Sequence, residues 1–253
     1  MSGALVLAID TAGADSGLAL SGGGRVDVVR LGAGANGRAR TEGLAEATAG
    51  LLAARGKRPS DLTLVAAVVG PGSYTGLRSG LAFLRGLAFP DSLPAVAVGA
   101  LEVLAWGAGE PGETVAVALA VAKDRCAIGV YRREANSVEE QAAPVLAPEA
   151  DYVAVLKELE ATALIVAPAQ QREEASAPPA RQDEPSAIER AAQEAGLPLR
   201  VAKADGLEQL ASLVEARAAA GRTVKAEEVL PIYVGQSATL PNRGRIVVPS
   251  PHE

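Results

Sequence analysis

The segment Val69-Gly-Pro-Gly-Ser-Tyr-Thr-Gly-Leu-Arg78 joins an aliphatic run to a stretch with helical spacing. The run Leu62–Val69 predicts a buried strand, and the stretch Thr75–Phe89 predicts a helix. Glycines ahead of a helix leave free backbone N–H groups that favour anions, but the Lys-Ser or Lys-Thr ending of a P-loop is missing. The alternative is a tight strand-to-helix turn in which Ser73 or Thr75 caps the helix.

Three short strands are predicted upstream of this segment, at Ala4–Ile9, Ser16–Leu20 and Arg25–Leu31. Glycine turns join them into a β-meander. A helix over Arg38–Arg55 follows the meander, and a strand over Ala95–Val98 follows the second helix. The order strand, strand, strand, helix, strand, helix, strand predicts a mixed sheet with helices packed on it, which is an α/β unit.

The second half of the chain repeats this order in a less regular form. Its predicted elements are the hairpin Thr114–Ala122 and Arg125–Tyr131, the helix Ala150–Glu160, the strand Ala163–Val166, the helices Ile188–Ala195 and Leu207–Ala220, and the extended segment Pro231–Val234. Two lobes that begin with strands and continue with helix and strand indicate a duplicated architecture, with the second lobe degenerate.

We therefore expect two lobes and a tail. Residues 1–100 form the first lobe and residues 101–235 the second. The stretch 167–186 is rich in Pro, Gln, Glu and Arg, which predicts a mobile loop in the second lobe. Residues 236–253 are predicted to be an extended tail.

The composition of the 253 residues excludes several kinds of chemistry. The chain has one cysteine, Cys126, and one histidine, His252, next to its end. It therefore has no internal disulfide or cysteine-rich metal site, which fits a reducing cytosol, and a Ser-His-Asp triad would depend on a terminal residue. The longest apolar runs fall short of the roughly 20 residues of a membrane helix. With 49% hydrophobic residues, the chain can still fill a core.

Charged residues are unevenly distributed. The first 100 residues hold nine Lys and Arg against seven Asp and Glu, whereas the whole chain holds 24 against 30. The acidic remainder is unsuited to binding phosphates, so contact with nucleic acid is expected from the first lobe or a partner. Aromatic residues make up only 3%, which is too few for a base-stacking platform.

Asp10 and Thr11 end the first predicted strand and precede a glycine turn. An acidic side chain and a hydroxyl in this position can hold a phosphate or a magnesium-bound water. The alternative is a hairpin in which both side chains stabilise the turn by local hydrogen bonds.

Small residues recur at helical spacing in both helices of the first lobe. They are Gly72, Gly76 and Gly80 in one, and Ala39, Gly43, Ala47, Gly50 and Ala54 in the other. Such faces let helices approach closely, so two of them predict a four-helix contact with another subunit. The alternatives are chance in an Ala- and Gly-rich sequence, or packing of both faces on the protein's own sheet.

Taken together, several motifs resemble the bacterial TsaB (YeaZ) family. They are Leu7-Ala-Ile-Asp-Thr11 with Ser16-Gly-Leu-Ala-Leu20, the segment Val69–Arg78 with Gly80-Leu-Ala82 and Gly86-Leu-Ala88, Val96-Ala-Val-Gly-Ala-Leu-Glu102, and Pro231-Ile-Tyr-Val234. The resemblance implies an actin-like ATPase (ribonuclease H-like) fold. It also implies pairing with a TsaD-type subunit, which transfers threonylcarbamoyl to the adenosine beside the anticodon of tRNA, and with a TsaE-type ATPase.

The resemblance places the partner interface on the helices of the first lobe. Its residues are Ala39, Gly43, Ala47, Gly50, Gly72, Ser73, Tyr74, Thr75, Gly76, Arg78, Gly80 and Phe83. Two departures from the family pattern concern catalysis. The first helix reads Arg40-Thr-Glu-Gly-Leu-Ala-Glu46, without the histidines of TsaD-type relatives, and Ala120 stands where the family has an aspartate.

These departures predict a subunit with no catalytic residue, no metal site and no cofactor of its own, with ATP and metal on the partner. Asp10 and Thr11 would be the remnant of a degenerate nucleotide site. The predicted function is a cytoplasmic scaffold and activator, away from membranes, that meets tRNA only through its partners. The rival is a stand-alone actin-fold nucleotidase or kinase that uses Asp10 and the loop Gly70–Thr75. Homodimerisation of the free chain, and a nucleotide at the interface, are left open.

Overall fold

A computed structural model describes residues 3–13, 16–31, 43–122, 124–167, 185–203 and 206–234. The predicted interface residue Ala39, the terminal His252, residues 168–184 of the predicted loop and the predicted tail 236–253 lie outside this set. Within it, the predicted α/β architecture with two lobes of related topology is confirmed.

The first lobe is built on a mixed sheet in the order β11-β5-β4-β1-β2-β3. The first three strands are antiparallel neighbours, and β4 and β5 then run parallel to β1. Gly23 and Gly24, both with positive φ, form the tight β2–β3 turn that a side chain would strain. The strands are β1 (Val6–Asp10), β2 (Gly17–Gly22), β3 (Arg25–Arg30), β4 (Leu64–Gly70), β5 (Pro94–Gly99) and β11 (Val224–Lys225).

The second sheet repeats this order as β10-β9-β6-β7-β8. Again three antiparallel strands come first, and two parallel strands extend the sheet on the other side of the first. The parallel strands are only three residues long, so the second copy is reduced relative to the first. The strands are β6 (Glu113–Ala122), β7 (Arg125–Arg133), β8 (Val138–Pro148), β9 (Leu164–Val166) and β10 (Leu199–Val201).

Four of the helices cover the outer faces of the sheets. In the first lobe, α1 (Leu44–Ala54) and α2 (Tyr74–Ala88) place leucines in one apolar cluster with β1, β2 and β4. In the second lobe, α4 (Tyr152–Glu158) and α5 (Ala187–Ala195) form the equivalent cluster with β6, β7 and β9. The outer helices therefore correspond in pairs, α1 to α4 and α2 to α5.

The last helix of each repeat packs against the sheet of the other. Helix α3 (Ala100–Ala108) follows β5 and packs both on β4 and β5 and on β6, β7, β8 and β9 of the second sheet. Helix α6 (Gly206–Ala219) follows β10 but packs on β1, β2 and β5 of the first sheet. The two helices also contact each other, where Arg217 forms an ion pair with Glu102. Residues 206–225, grouped by sequence with the second lobe, thus complete the first.

Candidate functional site

Asp10 and Thr11 lie at the carboxyl end of β1, beside the loop that follows β4. The Asp10 carboxylate accepts a hydrogen bond of 2.8 Å from the backbone N–H of Ala12. Thr11 is fully buried, and its Oγ1 lies against Gly80 of α2. The Asp10 contact is the local hydrogen bond that the hairpin alternative predicts, whereas the Thr11 side chain packs against α2.

The loop after β4 is covered by other parts of the same chain. A Cβ atom at Gly70 would lie 2.4 Å from the carbonyl oxygen of Ile232, and one at Gly72 would lie 2.3 Å from that of Ala12. The Ser73 N–H donates to the Ala12 oxygen at 2.7 Å, and its Oγ accepts from Gly76 at 3.2 Å, capping α2. Carbonyl oxygens of Ala12 and Ile232 therefore lie close to the glycines of this loop.

Two of the three glycines predicted to form one face of α2 are buried within the protein, and Gly72 is partly buried. Gly72 precedes the helix, and Gly76 and Gly80 are buried within it. A Cβ at Gly80 would come within 2.2 Å of Thr11 Oγ1. Gly80 therefore lets α2 pack closely on Thr11 at the end of β1, as the alternative of packing on the protein's own sheet predicts.

The small residues of α1 do reach the surface, on a different set of positions. Gly43 lies outside the helix, with φ of +92° at its N-cap, and Ala47 is partly buried against the core. The outward face is almost free of long side chains, with Glu46 as the one exception in the helix. Its members are Ala45, Glu46, Ala49, Gly50, Ala53 and Ala54.

Helix α2 presents an outward face beside α1. Tyr74, Thr75 and Arg78 from the predicted set are exposed, whereas Phe83 is partly buried in the core shared with α1. The Arg78 guanidinium donates to Tyr74 Oη at 2.7 Å and lies 5.2 Å from the centre of its ring. The helix continues outward with Ala82 and Gly86, which are both exposed.

The corresponding helices of the second lobe are covered by charge. The exposed residues of α4 include Lys157 and Glu158, and those of α5 include Arg190 and Glu194. Lys157 and Glu194 come within 3.8 Å of each other across the two helices. The smooth outer surface is therefore specific to the first lobe.

A segment that sequence reasoning treated only as extended chain completes the surface. Residues 229–234, here named the C-terminal strap, run beside α2 without forming a strand. Val229 is buried in the first core, the Ile232 N–H donates to the Val69 oxygen at 2.7 Å, and Val234 packs against the core of the second lobe. The ring of Tyr233 lies 5.3 Å from that of Tyr74.

Each lobe has an arginine–carboxylate pair that connects neighbouring elements at one edge of its sheet. Arg55, at the end of α1, donates to Asp27 and to the carbonyl oxygens of Leu20, Gly22 and Arg25. Hydrogen bonding from Arg55 lowers the pKa of the Asp27 carboxyl below its usual 3.8.

In the second lobe, Arg200 of β10 forms two hydrogen bonds to Glu113 of β6, at 2.6 and 2.7 Å. Hydrogen bonding from Arg200 lowers the pKa of the Glu113 carboxyl below its usual 4.5.

Metal-ligating clusters and membrane-spanning helices are both absent from the described residues. No group of three or more His, Cys, Asp and Glu side chains comes together as a metal site there. No helix in the described part of the chain is both long and apolar enough to span a bilayer. Ala120, at the position where the family has an aspartate, lies on β6.

The family model described as TsaD, tRNA N6-adenosine threonylcarbamoyltransferase, matches residues 36–231. The chain also superimposes on YeaZ from Pseudomonas aeruginosa with a TM-score of 0.67 and 26% sequence identity, over 91% of this chain and 100% of that one. The chain belongs to the TsaB (YeaZ) branch of the TsaD family. Its two-lobed fold is accordingly the predicted actin-like fold.

A second solved structure has the same fold. It is described as a protein with similarity to peptidase YeaZ from Pseudomonas aeruginosa, and it is 23% identical with a TM-score of 0.66. The match covers 92% of this chain and 100% of that one. No curated protein matches the chain in sequence.

Proposed function

We propose that the chain is a scaffold and activator subunit that pairs with a TsaD-type catalytic subunit in threonylcarbamoyl modification of the adenosine beside the tRNA anticodon. Family membership supports the pathway. The observation that supports the scaffold role is the outer surface of α1, continued by Ala82 and Gly86 of α2, where most exposed residues are small and those of α4 and α5 include charged side chains.

A smooth face of this kind suits helix-to-helix docking. Alanine and glycine lose no side-chain rotamer entropy on burial and let a second pair of helices approach closely. The complex would be cytoplasmic and would include a TsaE-type ATPase, with tRNA held through the partners. Homodimerisation of the free chain would use the same face.

A catalytic role for the chain alone has less support. The Asp10 carboxylate accepts a hydrogen bond within its own turn, Thr11 is buried against α2, and carbonyl oxygens of Ala12 and Ile232 lie close to the glycines of the loop. We therefore assign ATP, metal and the transfer reaction to the partner subunit.

Reconstitution tests this function. Purified TsaD-type and TsaE-type proteins, with tRNA, ATP and the threonylcarbamoyl donor, should form the modified nucleoside in quantity only when the chain is added, as read by mass spectrometry of the digested tRNA. The chain alone with ATP should release no phosphate above the level of its Asp10→Ala variant. Full modification without the chain would refute the activator role, and phosphate release that depends on Asp10 would favour the nucleotidase.

A further inference from the structure

The outer face of the first lobe consists of three elements in a row. The sheet order β5-β4-β1-β2-β3 places α1 above β2 and β3, and α2 above β4 and β1. The short turn 226–228, which leads into the C-terminal strap, contacts β5 and α2. Val229 shares one apolar cluster with α1 and α2, so the strap begins on this face, and Tyr233 then lies beside Tyr74 of α2.

The strap presents apolar side chains where α1 presents small ones. Its inward residues are Val229 and Val234, while Leu230, Ile232 and Tyr233 are 64%, 50% and 51% exposed. Tyr74 of α2, 58% exposed, lies against Tyr233, so these side chains form one patch. Half-exposed tyrosines and aliphatic side chains beside a smooth surface are the usual anchors of a protein interface.

The patch also carries an uncompensated positive charge. Arg78 is exposed and bonded to Tyr74 Oη, and no carboxylate of the described residues lies within ion-pair distance of it. Arg85, about two turns further along the same side of α2, donates to the Val229 oxygen, and its Nε has no hydrogen-bond partner among the described atoms. A matching surface would therefore combine apolar helix side chains with a carboxylate opposite Arg78.

We infer that the C-terminal strap is part of the partner interface, so that the TsaD-type subunit docks on three elements instead of two helices. This inference rests on the proposed function. The partner contributes aliphatic side chains over Leu230, Ile232 and Tyr233, together with an acidic residue facing Arg78. The small-residue face of α1 gives close approach, and the strap gives the anchoring contacts.

The test compares a strap variant with a matched variant in the other lobe. Leu230→Ser/Tyr233→Ala removes two exposed apolar side chains from the strap, and neither is part of a core. Leu199→Ser/Val201→Ser removes two from β10, where their exposures are 39% and 51%. Titration calorimetry against the purified TsaD-type subunit should show at least a tenfold rise in Kd for the strap variant and less than a twofold change for the β10 variant. Circular dichroism melting should show both folded.

A third variant distinguishes a failure of this inference from a failure of the proposed function. Ala49→Arg adds a long side chain to the α1 face without touching the strap. If Ala49→Arg abolishes binding but the strap variant binds normally, the helix interface stands and the strap inference falls. If neither variant affects the affinity, both fall. If the strap variant weakens only self-association of the chain, measured by light scattering, the patch belongs to a second copy and the inference is overturned.

Discussion

The two lobes have one strand order and equivalent outer helices, yet their outer surfaces differ completely. Inward, α1 and α2 bury leucines, as α4 and α5 bury Leu156, Ile188 and their neighbours. Outward, the first pair exposes alanine, glycine and a tyrosine–arginine pair, while the second exposes Lys157, Glu158 and Glu194. The fold determines which helix is outermost, and the outward residues determine whether that helix meets water or protein.

Long charged side chains keep a helix surface solvated. Lysine and glutamate each lose about 1.5–2 kcal/mol of rotamer entropy when they are immobilised in an interface, and the exposed pair Lys157–Glu194 is well hydrated as it is. Most exposed residues of α1 are alanine or glycine, so burying this helix would lose little side-chain rotamer entropy. The outer helices of the first lobe are therefore suited to burial, and those of the second lobe are suited to solvent.

The largest expected effect on binding comes from placing a long charged side chain, of the kind exposed on the second lobe, on α1 of the first lobe. Ala49→Arg on α1 should weaken binding of the TsaD-type subunit by roughly a hundredfold, about 2.7 kcal/mol, because the arginine blocks close helix approach. Ala154→Arg on the exposed face of α4 is the matched control and should leave the Kd unchanged. Titration calorimetry measures the Kd of both variants. If the two arginines weakened binding equally, the outer helices of the first lobe would not differ from those of the second in partner binding.

The next effect distinguishes the inner side of α2 from its outer side. Gly80→Ala should destabilise the fold by about 2 kcal/mol, since the new Cβ would overlap Thr11 Oγ1 and overpack a buried contact. Gly86→Ala, whose Cβ meets nothing within 4 Å, should stabilise it by up to about 1 kcal/mol through helix propensity. Urea denaturation measures both. If Gly80→Ala stabilised the fold, α2 would not pack closely on Thr11 at the end of β1.

The smallest expected effect is the difference in unfolding free energy between substitutions of the two paired arginines, Arg55 and Arg200. Arg55→Gln should cost about 1–2 kcal/mol at neutral pH, because a side chain only 9% exposed leaves three carbonyl oxygens without their donor. Arg200→Gln should cost less than about 1 kcal/mol, since Arg200 is 37% exposed and solvent screens its pair with Glu113. Urea denaturation at pH 7 should rank them in this order.

The same variants have a defined pH dependence. Asp27 and Glu113 have folded-state pKa values below their unfolded ones, so each contributes stability above the unfolded pKa and loses it as pH falls through the folded pKa. The difference in unfolding free energy between wild type and either variant should therefore shrink between about pH 5 and pH 3. A difference that grows on acidification would contradict the direction of both pKa shifts.

Sequence patterns located most of the first lobe to within a residue or two because its strands are buried and its helices have clear ends. They missed β8, whose residues Val138–Pro148 include two prolines and several exposed polar side chains. They also missed β10 and β11, which are three and two residues long. Such edge strands are held by backbone hydrogen bonds to a neighbour, and no pattern in their own side chains reports that pairing.

The candidate surface was predicted in part, for a similar reason. Tyr74, Thr75, Arg78 and Gly50 are exposed as an interface requires, but periodicity could not tell which side of α2 faces β1. That depends on the contact of Gly80 with Thr11, which are far apart in the sequence. The strap was visible only as a short motif, because its place beside α2 depends on the Val69 and Tyr74 contacts.

Helices α3 and α6 each contribute to the core of the lobe that the other half of the chain forms. A fragment that ended after β5 would lack α6, and the apolar inner face of its sheet would be exposed to water. A fragment that began at β6 would lack α3, which supplies Leu101 and Ala105 to its core. Each lobe therefore needs a helix from the other half of the chain to complete its core.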